Sequence, residues 1–101
     1  MALNYFVTKF YSFPRMDKTL LKEFTLREDV DKWVLTVILI PIDESEPFLM
    51  LVTTNNLSIF DKVEDELGAT EIEFEQYGRA AKRVGTKYDF FYPSADISSL
   101  F

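Results

Sequence analysis

In the run Trp33-Val34-Leu35-Thr36-Val37-Ile38-Leu39-Ile40-Pro41-Ile42, only Thr36 and Pro41 interrupt an otherwise apolar series. Apolar residues fall on both parities, so an extended chain here has both of its faces covered. The β-branched content (Val34, Thr36, Val37, Ile38, Ile40) favours a strand over a helix. A buried central strand is therefore expected, and the rest of the chain has to be fitted around it.

Outward from this run, Asp43 to Pro47 is a short polar loop and Phe48 to Thr53 is again apolar. The two apolar runs are expected to form an antiparallel hairpin. Upstream, Tyr5 to Phe13 alternates imperfectly and reads as a first strand stopped by Pro14. Between Arg15 and Asp31 two readings stay open. Leu20, Leu21 and Phe24 fit one helical face, the favoured reading, whereas Leu20, Phe24 and Leu26 fit one strand parity. Thr25 and Glu28 have capping-box spacing, which would start a short helix there and leave Thr19 to Phe24 extended.

Downstream, Leu57 to Leu67 has the clearest helical pattern, with Ile59, Phe60, Val63 and Leu67 as its apolar stripe. Ser58 and Asp61 have capping-box spacing, and Gly68 stands where a left-handed C-cap belongs. From Thr70 to Gln76, Ile72 and Phe74 alternate with Glu71, Glu73 and Glu75, as in a strand with one solvated face. Gly78 to Gly85 then reads as a basic connection to a last strand, Thr86 to Tyr92. If these last two strands pair antiparallel, Glu75 should face Lys87 and Phe74 should face Tyr88.

The expected fold is α+β, a single domain over 1–93 with a C-terminal tail over 94–101. Its sheet is mainly antiparallel with one or two helices on one face, in the split βαβ, ferredoxin-like order. A small β-barrel with one helix is the runner-up, and follows if Thr19 to Phe24 is extended.

With 101 residues, 48% of them apolar and 16% aromatic, the chain has material for one packed core. It contains neither cysteine nor histidine, which removes disulfides, thiol nucleophiles, Cys/His zinc sites and imidazole acid-base chemistry. No Gly-rich loop precedes a helix, so phosphate cradling of that kind has no support. No cofactor is expected and no enzymatic activity. The first residues lack a signal-peptide pattern, and the longest apolar run is about half of the roughly 20 residues that a membrane-spanning helix needs. A cytoplasmic location is expected.

Charge is distributed unevenly. Between Asp61 and Glu75 there are seven carboxylates against Lys62 alone, a net charge of −6 that equals the net charge of the whole chain. Asp65 and Glu66 fall in the last turn of their helix, where the dipole favours cations by roughly 0.3 to 1 kcal/mol. An acidic surface made of Asp61, Glu64, Asp65, Glu71, Glu73 and Glu75 is therefore expected to bind a basic, nucleic-acid-holding surface of a larger protein. A merely solvated face is the competing account. Inhibitor or adaptor is the expected role, and such a chain would suit a counter-defence or host-takeover protein of a mobile element.

The alternatives are a single-stranded nucleic-acid binder using Tyr5, Lys9, Tyr11, Arg79, Lys82, Arg83 and Lys87, and a small-molecule regulatory domain with a pocket between sheet and helices. The tail Asp96-Ile97-Ser98-Ser99-Leu100-Phe101 resembles the short peptides, acidic then apolar and ending in Leu-Phe, with which replication-associated proteins engage sliding clamps, although it lacks their leading Gln. The resemblance implies binding through Ile97, Leu100 and Phe101. A tail folded back on the core explains the same residues.

Overall fold

The structure, a computed structural model, describes residues 2–25 and 34–91. Among the described residues, five strands and three helices follow one another in the order β1 (Ala2–Phe13), α1 (Lys18–Thr25), β2 (Val34–Pro41), β3 (Phe48–Asn56), α2 (Ser58–Leu67), β4 (Thr70–Ile72), α3 (Phe74–Ala81) and β5 (Tyr88–Phe91). The strands form one antiparallel sheet of order β4-β1-β3-β2-β5, so the class is α+β. Among the described residues no helix is long and apolar enough to cross a membrane.

The expected hairpin is present. β2 and β3 pair from Val34↔Thr54 to Leu39↔Leu49, and the loop between them turns on Asp43, whose Oδ1 accepts from the Ser45 N–H at 2.9 Å. β2 lies between β3 and β5 and is covered on both sides. Its Ile38 and Ile40 join Tyr11, Phe13, Met50, Leu21, Phe24, Ile59, Phe60 and Val63 in a core under α1 and α2. Leu39 points the other way and joins Leu49, Tyr77 and Ala80, with Phe10, Leu51 and Ile72 packed beside them, under α3. Trp33 lies outside the described residues.

α1 settles the open reading between Arg15 and Asp31 in favour of a helix as far as Thr25, against an extended Thr19 to Phe24 and the barrel that depended on it. Its start is fixed by Asp17, whose Oδ1 accepts from the Thr19 N–H at 2.7 Å and whose carbonyl accepts from the Leu21 N–H. The helix runs to Thr25, and the short helix expected from the Thr25 and Glu28 capping box lies outside the described residues. The stripe of α2 is buried as the spacing predicts, and Gly68 closes the helix at φ 64°. The Ser58 and Asp61 capping box does not form. Asn56 takes its place, its Oδ1 accepting from the Ser58 N–H and from the Ser58 hydroxyl.

The main departure lies after Ile72. Only Thr70–Ile72 is a strand, and Phe74–Ala81, expected to finish that strand and begin a basic connection, is helical. The expected pairing of this segment with the last strand is absent, since β4 and β5 occupy opposite edges of the sheet. The physical reason lies in Leu39, Leu49 and Leu51, which leave the second face of the sheet apolar. Tyr77, Ala80, Ala81 and Val84 recur at helical spacing and supply its cover, while Phe74, though its ring meets that of Phe10, stays largely exposed. The Tyr77 hydroxyl also donates to the Val37 carbonyl at 3.3 Å. Among the described residues, helices therefore pack on both faces of the sheet, α1 and α2 on one and α3 on the other.

Val63→Asp places an unpaired charge at a position 2% exposed, and should destabilise the fold by about 3 kcal/mol or more. Asp65→Lys, on the exposed side of the same helix, should leave the melting temperature near that of the parent. Thermal melts followed by circular dichroism distinguish the two, and equal stability of Val63→Asp and parent would refute the packing of α2.

Candidate functional site

Of the six carboxylates expected to form one surface, three converge. Tyr11 is fully buried on β1, its ring 6.4 Å from that of Phe60, and its hydroxyl donates to Glu64 Oε2 at 3.1 Å. Glu71 is the register partner of Tyr11 on β4, and Asp61 and Glu64 face the same phenol from α2. Burial first, then the hydrogen bond to Glu64, then the charges of Glu64, Glu71 and Asp61 hold the Tyr11 phenol above its ordinary pKa. Lys9 sits beside them, 3.5 Å from Glu71 and 5.0 Å from the centre of the Phe60 ring.

Asp65 lies one turn beyond Asp61 and is exposed. Glu73 and Glu75 do not join this group as neighbours on one strand. Glu73 is the N-cap residue of α3 and Glu75 lies in its first turn, where the helix dipole favours an anion. Among the described residues no group of three or more acidic side chains is arranged to hold a metal ion. Ile97, Leu100 and Phe101 lie outside the described residues.

The residues of the nucleic-acid alternative do not form one surface. Tyr11 is enclosed and offers no stacking face, and Lys9 stands with the acids on the α2 side. Arg79, Lys82, Arg83 and Lys87 are exposed around the end of α3, on the opposite side of the sheet. There the chain is wound tightly: the Arg83 carbonyl accepts from the N–H groups of Thr86, Lys87 and Tyr88, and Gly85, at φ 93°, makes the reversal that a side chain would strain.

This loop, α3 and the β2–β3 hairpin line a cleft of about 410 Å³, to which α3 and the turn after it contribute Arg79, Arg83 and Lys87 and the hairpin contributes Asp43 and Glu46; Lys87 lies beside the hairpin, its carbonyl accepting from the Ile42 N–H at 2.9 Å. Gln76 and Tyr88 also line it, and sequence reasoning missed both. The helical spacing of Tyr77, Ala80, Ala81 and Val84 was the signal that could have placed Gln76 and Arg79 on one helix and so in one cleft.

The Tyr11 arrangement fixes a pH response. Up to about pH 10, the ordinary phenol value, folded and unfolded chains both keep this proton, whereas above it the unfolded chain releases the proton first. Stability is then lost as pH rises toward the higher folded value. Tyr11→Phe should cost about 1 kcal/mol at neutral pH through the lost hydrogen bond, and should lessen the alkaline decline. Denaturant titrations of parent and variant between neutral and strongly alkaline pH check this, and parallel profiles would count against it. No protein-family model, curated protein or solved structure was found to match this chain.

Proposed function

We propose that this protein is a non-enzymatic binding module, an inhibitor or adaptor, that uses the acidic side of α2 and β4 to occupy a basic surface of a larger protein. The observation that supports it is the convergence of Asp61, Glu64 and Glu71 around one buried hydroxyl, with Asp65 exposed a turn away. Asp65 also lies in the last turn of α2, where no basic residue stands and the dipole disfavours a carboxylate. Charge held at a local cost is better accounted for by an external partner than by the stability of the fold. A surface that ordinarily holds nucleic acid is the kind of partner whose positive charge would complement it.

Asp61→Lys combined with Asp65→Lys tests the reading without touching the Tyr11–Glu64 hydrogen bond. Reversal at Asp61 removes an acid from the favourable first turn, and reversal at Asp65 removes one from the unfavourable last turn, so stability should hardly change. Affinity capture from the native host supplies the partner, and surface plasmon resonance supplies the rates. Association with the parent should slow steeply as salt rises, and the double variant should bind at least about tenfold more weakly. Parental affinity and parental salt dependence in the folded variant would reduce the acidic side to a solubilising coat. Tight, salt-sensitive gel shifts with single-stranded oligonucleotides would favour the nucleic-acid alternative instead.

A further inference from the structure

The cleft between α3 and the β2–β3 hairpin has no part in the acidic-surface reading, and its charges are arranged differently. Arg79 and Arg83 stand four residues apart across the end of α3, and Lys87 is brought beside Arg83 by the Arg83–Tyr88 turn. From Gln76 to Tyr88 the sequence holds four cations and no acid. Neither guanidinium is in an ion pair with a described residue, and both line the cleft. Guanidinium groups present paired N–H donors in a plane that matches an oxyanion, and two together match a doubly charged one.

The hairpin's contribution to the lining narrows the ligand. Asp43 is fixed by the Ser45 N–H, and this bond first, with the Ser45 hydroxyl and the nearby charges of Lys87 and Arg15, keeps its carboxyl below the usual range. It is therefore a standing negative charge at neutral pH, with Glu46 beside it in the cleft lining. A long polyanion crossing the cleft would press against these two carboxylates. A compact anion confined to the arginine wall avoids them, and an amine at its other end would be drawn to them. The volume is that of a small-molecule site, and Leu49 and Tyr88 are among its lining residues.

We infer that this cleft binds a small organic molecule whose doubly charged oxyanion head sits between Arg79 and Arg83 and whose other end is neutral or cationic and faces Asp43 and Glu46. The head is a phosphomonoester or a dicarboxylate.

The test is a set of amide chemical-shift titrations of the full chain at constant ionic strength with phosphoethanolamine, glycerol 3-phosphate, succinate and a thymidine oligonucleotide. Saturable shifts at Gln76, Arg79 and the Arg83–Tyr88 turn are expected with at least one of the three small anions. The phosphate and succinate arms tell the two head groups apart. Arg79→Gln with Arg83→Gln should weaken that binding by about tenfold or more, as expected for the loss of charge-assisted bidentate contacts. Lys62→Gln, on α2, should leave it unchanged.

If phosphoethanolamine binds more tightly than glycerol 3-phosphate, Asp43→Asn should abolish the difference. Lys87→Gln repeats the test at a residue outside the helix, should the double arginine variant fail to fold. The absence of saturable shifts with all three small anions, or equal weakening by Lys62→Gln, would overturn the inference. So would tighter binding of the oligonucleotide through the same residues.

Discussion

The constraint on which the rest depends is that β2 is apolar on both of its faces. A strand with Ile38 and Ile40 on one side and Leu39 on the other cannot lie at a water-facing surface, and burying each such side chain contributes about 1.5 to 3 kcal/mol. One cover is supplied by α1 and α2, which lie in connections that each pass over one strand, from β1 across β3 to β2 and from β3 across β1 to β4. The second cover has to come from elsewhere, and the chain provides it by turning Phe74–Ala81 into a helix across Phe10, Leu39 and Leu49. β5 follows from the same move. Once α3 has crossed the sheet, the next segment reaches the free edge of β2, where Leu39 pairs with Phe90.

This three-layer arrangement also separates the charges. Acids on α2 and β4 lie on one side of the sheet, and the cations at the end of α3 lie on the other. Helix and sheet layers are each about 10 Å thick, whereas charges exposed to physiological salt are screened over about 8 Å. The two surfaces therefore act on their surroundings independently, although the chain as a whole carries a net charge of −6. Net charge is a poor guide here to what either surface attracts.

How much of this the sequence shows depends on whether a local pattern had one meaning or two. The central strand, the hairpin, the first strand and α2 with its Gly68 terminus are legible because periodicity, capping and breakers agree at each. α1 is ambiguous because eight residues admit both periods, and what decides between them, Asp17, works through a cap that the apolar pattern does not show. α3 was misread because Glu71-Ile72-Glu73-Phe74-Glu75 alternates perfectly as a strand. The alternation runs across a real boundary: Glu73 is still extended, at φ −82° and ψ 154°, and the helix begins at Phe74. That misreading set Glu73 and Glu75 on one strand face with Glu71, whereas they stand at the start of α3, and it hid the cleft, since helical spacing is what brings Gln76, Arg79 and Arg83 to the same lining.

Tyr11 shows how closely the acidic side is bound to the core. Its ring belongs to the cluster under α1 and α2, while its hydroxyl is the donor that Glu64 accepts, so one side chain fixes α2 over β1 and places a carboxylate at the surface. Glu64 is consequently held by the fold, whereas Asp61 and Asp65 take no hydrogen bond from a described donor and stand exposed. A charge that packing fixes can serve as a reference point for a partner, because it loses little conformational freedom on docking. The exposed charges on either side of it add mainly to the long-range field and hence to the rate of encounter. On the proposed reading, Glu64, held by Tyr11, would set where a partner sits, and Asp61 and Asp65 would set how quickly it arrives.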